Sequence, residues 1–186
     1  MMYEFIWHGR GGQGVVLAAQ MLAEAAYLHG FKGVTATPTF GPERRGAPVI
    51  ASTRLSPAPI RTFAQIRKAD FAVVLDESLF QAVDILTRLK EAGVLIVNTA
   101  EPGKFSFPAS LTVFTVDGTG IAHRHRLVRE GTPLVNVPLL GAVARASGLV
   151  SVEDIVEALK KKIGGDHLTQ NVAALKAAFD EALRHG

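Results

Sequence analysis

Short apolar blocks recur along the chain, and their spacing sets the first reading. Tyr3-Glu4-Phe5-Ile6-Trp7 is apolar enough for a short buried strand. Residues 15–29 then follow a helical period, with Leu17, Met21, Leu22, Ala25 and Leu28 on one side. Gly30 suits the C-cap of that helix. Residues 33–37 read as a second strand, and the β-branched stretch 49–55 as a third, ended by Pro57 and Pro59. Residues 71–76 and 93–98 are continuous apolar runs, as expected of strands covered on both faces. Residues 111–116 add another strand. Between the two apolar runs, residues 79–92 read as a helix closed by Gly93.

The last third is mainly helical. Residues 139–146 form one helix. Ser151-Val152-Glu153-Asp154 resembles a capping box opening a second, running to about Ile163, and a third covers residues 168–183. Strand and helix alternate before this point. That pattern predicts one Rossmann-like α/β domain over residues 1–186, with a mostly parallel sheet, helices on both faces and a helical C-terminal third. No internal repeat, low-complexity tract or long linker divides it.

Composition narrows the chemistry. There is no cysteine in the 186 residues, which excludes disulfides and thiolate ligation of an iron–sulfur cluster by this chain. The net charge of +3 is too small to imply a nucleic-acid partner. Basic residues cluster at Arg44-Arg45, at His123-Arg124-His125-Arg126 and at Lys160-Lys161-Lys162, the last at a helix C-terminus, where cations suit the dipole. No apolar run reaches the roughly 18–20 residues that span a bilayer. The start lacks a basic segment of the signal-peptide type, so a cytoplasmic location without membrane contact is expected. A mean hydropathy of +0.23 fits either an Ala- and Val-rich interior or a surface covered by a partner.

Two segments carry candidate chemistry. Gly9-Arg10-Gly11-Gly12-Gln13-Gly14 fits G-x-G-x-x-G between a strand and a helix. Glycines there permit a tight turn, and a helix N-terminus offers free N–H groups to phosphate. The same glycines could instead serve packing of helix on sheet. A dinucleotide site also needs an acid at the end of the second strand, but that strand ends Thr35-Ala36-Thr37-Pro38. A nicotinamide cofactor is therefore disfavoured. The second segment is Gly41-Pro42-Glu43-Arg44-Arg45-Gly46-Ala47-Pro48, a charged loop bracketed by turn residues. Glu43 can pair with one arginine and leave the other for a carboxylate or phosphate. The loop follows the second strand and should rise beside the glycine turn.

Together these segments, with Arg54 and looser matches at Asp76, Asn98 and Asn136 to Gly141, resemble the γ subunits of the 2-oxoacid:ferredoxin oxidoreductases. Pro138 departs from the commoner wording of that last motif. The resemblance runs essentially end to end. It implies a multi-subunit enzyme that converts a 2-oxoacid, coenzyme A and oxidised ferredoxin to acyl-CoA, carbon dioxide and reduced ferredoxin. Thiamine diphosphate, Mg and iron–sulfur clusters are then expected on the α, β and ferredoxin-like δ subunits, and ferredoxin meets this chain only indirectly. No catalytic or metal-ligating residue is assigned here. Gly9, Gly11, Gly12, Gln13, Gly14, Glu43, Arg44 and Arg45 are the candidate contacts, either to the phosphates of coenzyme A or to a partner subunit. The alternatives are a stand-alone nucleotide- or phosphate-binding module and a free-standing dehydrogenase. His8 reads as a structural histidine, His123 and His125 as part of a solvated loop, and Asp76 as a cap.

Overall fold

The computed structural model describes residues 1–39, 45–62 and 64–185. In chain order the elements are β1 (Tyr3–Arg10), α1 (Val15–His29), β2 (Gly33–Thr39), β3 (Pro48–Ser56), β4 (Ala69–Val74), β5 (Leu89–Asn98), β6 (Thr112–Val116), α2 (Gly118–Arg124), β7 (Val128–Arg129), β8 (Thr132–Pro133), α3 (Asn136–Ser147), α4 (Val152–Lys160), α5 (Gly165–Glu181) and β9 (Leu183–His185). Seven of the strands form one sheet in the order β2-β3-β1-β4-β5-β6-β9, and β7 and β8 form a separate hairpin. Strands β1, β4, β5 and β6 are mutually parallel, and β2 runs with them. Strands β3 and β9 oppose that direction. The mostly parallel α/β sheet is as expected.

Alternation along the strands sorts the core into two layers. Phe5, Trp7, Phe71, Val73, Ile96 and Phe114 face the α-helices. Ala72, Val74, Leu95 and Val97 face the opposite way. Small residues let α1 lie close to the sheet: Ala18, Ala19, Ala25 and Ala26 are all buried. A relay fixes its height, with Trp7 Nε1 donating to Thr53 Oγ1 at 3.0 Å and that hydroxyl donating to Ala19 O at 3.0 Å. Gly30 closes α1 in a left-handed conformation (φ 114°), its N–H bonded to Ala26 O and Tyr27 O, which is the anticipated C-cap. Leu28, expected on the buried side, is exposed. The capping box also forms: Ser151 N donates to Asp154 Oδ2 at 2.8 Å, and Asp154 N donates to Ser151 Oγ at 3.1 Å.

The second face departs from expectation. Residues 79–92 do not form a helix. They make 3₁₀ turns at Glu77–Gln81 and Leu86–Arg88, and β5 then begins at Leu89. Two forces oppose a continuous helix. Asp84 offers its side chain to the amide of Thr87, a local bond that competes with helical pairing. Leu79, Ile85 and Leu89 are also all buried on the sheet, and the broken path lays all three down. Phe80 completes this cover with Phe105 and Phe107, ring centroids 5.3 and 5.5 Å away. Among the described residues the α-helices accordingly pack against one face, and 3₁₀ turns cover the other. Helix α2 and strand β9 add to the elements read from the sequence; the Asp117 side chain caps α2 by accepting from Gly120 N.

Candidate functional site

The parallel strands β1, β4, β5 and β6 end at one edge of the sheet, and the glycine turn follows β1 there. Gly9 is a packing residue: a Cβ on it would come within 2.4 Å of Val15 Cγ2. Gly14 (φ 76°) caps α1 in the left-handed region and leaves room for Asn136, whose Nδ2 a Cβ would meet at 2.6 Å. Gly11 and Gln13 use their amides internally, to Ala47 O at 2.9 Å and Arg10 O at 3.1 Å. Part of the expected phosphate cradle thus holds the turn together.

The charged loop does return beside this turn. Gly11 and Arg45 form an isolated parallel bridge, and Gly46 N donates to Gly11 O at 3.1 Å. Glu43 and Arg44, with Gly41 and Pro42, lie outside the described residues. Arg10 ties the parts together. Its Nη1 donates to Gly46 O at 2.9 Å, its Nη2 donates to Ser78 Oγ at 2.8 Å, and its Nε lies 3.3 Å from Asp76 Oδ2.

Among the described residues two clefts open at this edge, with Gln13 in the wall of both. The first, about 320 Å³, is lined by Asp76, Glu77, Glu101 and Asp117, with Asn98 and Thr119. Most of its polar groups serve the fold. Asp76 Oδ2 accepts from Gln13 Nε2 at 3.0 Å, and its Oδ1 accepts from Ser78 N at 3.0 Å. Partial burial would raise the Asp76 pKa, but the bonds from Ser78 and Gln13 and the charge of Arg10 outweigh it and hold the carboxyl below its ordinary value. Asp117 caps α2, and Glu77 pairs with Lys104 at 3.2 Å. Asn98 Nδ2 donates to Leu75 O at 2.9 Å and to Thr119 Oγ1 at 3.0 Å, while its Oδ1 accepts from Thr119 N. Asp76 is thus a cap, as read from the sequence. Among the described residues no group of three histidines or acids is set to hold a metal.

The second cleft, about 570 Å³, is basic. Gly11, Gly12 and Gln13 form one wall, Arg10, Arg45 and Gly46 another, and Arg129, Glu130, Thr132 and Leu134 the third. It unites four of the sequence-derived candidates: Gly11, Gly12, Gln13 and Arg45. Gly9 and Gly14 shape the turn behind it. Arg10, Arg129, Glu130 and Thr132 were missed. The signal was the dipeptide Glu130-Gly131 between Val128-Arg129 and Thr132-Pro133. Both turn residues have positive φ, 48° and 76°, the conformation that closes a two-residue hairpin. Arg45 Nη1 meets Glu130 Oε2 at 3.2 Å across the opening.

Three motif residues sit elsewhere. Arg54 pairs with Glu4 at 2.9 Å near the opposite edge and also donates to Ala64 O, so it is a structural clamp. Gly141 lets α3 cross α5 closely, since a Cβ there would lie 2.2 Å from Leu175 O. Pro138 falls in the first turn of α3, where the amide it lacks has no helical partner to lose. His8 lies in β1, just before the glycine turn. It is 1% exposed, and neither ring nitrogen has a hydrogen-bond partner among the described residues. Burial, with a smaller push from Arg88, lowers its pKa to about 4, so the ring is neutral near pH 7.

A family model described as pyruvate ferredoxin/flavodoxin oxidoreductase matches residues 4–181. The chain is 46% identical over 188 residues to the pyruvate/ketoisovalerate oxidoreductases common subunit gamma of Thermococcus litoralis, covering 98% of each chain. It is 43% identical to the pyruvate synthase subunit PorC of Methanothermobacter marburgensis, covering 100% of both. Among solved structures it is similar to pyruvate oxidoreductase subunit PORC of Thermotoga maritima, with a TM-score of 0.84 and 35% identity, covering 100% of this chain and 99% of that one.

Proposed function

The chain belongs to the pyruvate ferredoxin/flavodoxin oxidoreductase family, and on that footing we propose that it is the γ subunit of a multi-subunit 2-oxoacid:ferredoxin oxidoreductase. The observation that carries this reading is the end-to-end match to γ subunits in a chain with no cysteine. Its own residues do not fit the redox and carbanion cofactors of such an enzyme. It offers no thiolate for an iron–sulfur cluster and lacks a Gly-Asp-Gly thiamine motif with paired asparagines. Thiamine diphosphate with Mg, and the clusters, therefore belong to the α, β and ferredoxin-like δ subunits, on which residues 1–186 pack as one domain. In this reading the enzyme works in the cytoplasm, and the isolated chain is inactive.

Within the complex, the basic cleft contributes to binding coenzyme A. Arg45 and Arg129 line the cleft from separate segments of the chain and can meet phosphate oxygens with paired N–H donors. Gly11 and Gly12 keep the third wall free of side chains, so a bulky anion can reach the backbone. A docking role for the same arginines is the competing use of the cleft. A dinucleotide dehydrogenase is the weaker alternative: on one side of β1 the antiparallel β3 brings Pro48 to the glycine turn, and on the other the parallel β4 leads to Asp76, whose carboxylate is already bonded to Gln13 and Ser78 and lies beside Arg10 rather than being free for a ribose.

Affinity purification of the tagged chain from its native host without oxygen tests the subunit assignment. Cysteine-rich partners should co-elute with viologen reduction that depends on a 2-oxoacid and on coenzyme A. An inactive, colourless single chain would overturn it.

A further inference from the structure

The basic cleft carries its own carboxylate, and that residue has no role in the anion reading given so far. Glu130 sits at the tip of the β7–β8 hairpin, with its carboxylate aimed across the opening at Arg45. Both side chains of the pair are 68% exposed, and among the described residues no other side chain holds either. The tip backbone is not a default conformation. Glu130 adopts φ 48°, the left-handed region that strains a residue with a Cβ. Asn, Asp or Gly is the usual choice there. A glutamate at this point adds nothing to the turn, and among the described residues its side chain's one ion pair lies across the cleft.

The other guanidinium nearest the glycine turn is not available. Arg10 already donates to Gly46 O and Ser78 Oγ and lies beside Asp76. Among the described residues, an entering anion is therefore left to Arg45 and Arg129. Of these, Arg45 is occupied by Glu130 in the structure.

We infer that Glu130 is a positioning residue that sets the anion affinity of this cleft: its carboxylate holds Arg45 across the opening as a stand-in for the ligand, and an incoming phosphate displaces it. This rests on the reading of the cleft as an anion site. An exposed pair of this kind is weak, so displacement costs little. The pair would keep the arginines from capturing unrelated anions while leaving them poised for a ligand that offers more than one phosphate oxygen.

The test is a titration of the full chain with inorganic pyrophosphate, read from the amide resonances of Gly11, Gly12 and Gly131. Glu130→Gln removes the charge and keeps the shape. It should tighten binding about two- to fivefold, the span of an exposed ion pair. The gain should vanish when Arg45 is Gln in both members of the comparison. Glu157→Gln, which makes the same charge change on α4, should alter binding less than about 1.5-fold, as expected of a distant screened charge. An equal gain with and without Arg45 would overturn the inference, because it would reduce Glu130 to a long-range charge. No gain, while Arg129→Gln still weakens binding, would overturn it and leave the anion reading standing. Pyrophosphate that shifts no glycine-turn amide in either the parent chain or the Glu130→Gln variant would overturn both.

Discussion

The two clefts at the carboxyl edge share Gln13 as a wall and use charge in opposite ways. In the acidic one, three of the carboxylates that line it are tied into the fold: Asp76 to Ser78, Gln13 and Arg10, Asp117 to the start of α2, Glu77 to Lys104. In the basic one, Arg45 and Arg129 are exposed, and among the described residues Arg45 is held only by the equally exposed Glu130. A charge with several short bonds to its own chain is a structural part. A charge held by one exposed partner is available to a ligand. The contrast separates substitutions that unfold the chain from those that disarm it.

Acid is the harshest way to break the contrast, since it removes stability without touching an arginine. His8 binds a proton at about pH 4 in the folded chain against an ordinary value of 6.5. The unfolded chain therefore holds more protons between those values. Its contribution is complete above about pH 6.5 and is lost as pH falls toward 4, about 3 kcal/mol in all. Urea midpoints across this range should fall accordingly, and His8→Leu should flatten the dependence. An unchanged slope in that variant would remove His8 from the account. The depressed carboxyls of Asp76 and Asp154 add a further loss below the ordinary carboxylate value, as each is protonated.

A single substitution in the acidic cleft should come next in size. Asp76→Ala strips acceptors from Ser78, Gln13 and Arg10, and a loss of roughly 2–3 kcal/mol in urea unfolding is expected. A change under about 0.5 kcal/mol would mean that these bonds do not hold the edge together. Gly9→Ala sharpens the point from the packing side. The added Cβ meets Val15 and Leu75. The expected cost is about 1–3 kcal/mol, and a neutral result would show that α1 can shift away from β1. At the small end, Arg45→Ala should leave stability within about 0.5 kcal/mol of the parent chain, because its partner is exposed. A larger loss would make Arg45 a structural residue and erase the difference between the clefts.

Where a local signal also decided the tertiary outcome, the sequence was a good guide. The period of 15–29, Gly30 and the Ser151–Asp154 box became α1, its C-cap and the start of α4. Over residues 79–92 the apolar spacing pointed to a helix, but burial of Leu79, Ile85 and Leu89 on a flat sheet face won. The candidate site was legible in half. Gly11, Gly12, Gln13 and Arg45 meet as expected because one strand–turn–helix unit and the start of its neighbouring strand bring them there. Arg129 and Glu130 come from a hairpin some eighty residues later. Their two-residue strands carry no hydrophobic alternation, so only the Glu130-Gly131 turn could have marked them.

The central claim is that the basic cleft serves coenzyme A rather than the architecture of the complex. Its most direct test is the apparent KM for coenzyme A of the assembled enzyme carrying Arg45→Glu and Arg129→Glu. The account predicts an intact complex whose KM for coenzyme A rises about tenfold or more, the size of one lost charged contact, with the KM for the 2-oxoacid unchanged. An intact complex with the coenzyme A dependence of the parent enzyme would contradict it, and so would dissociation of the subunits, which would assign the arginines to docking.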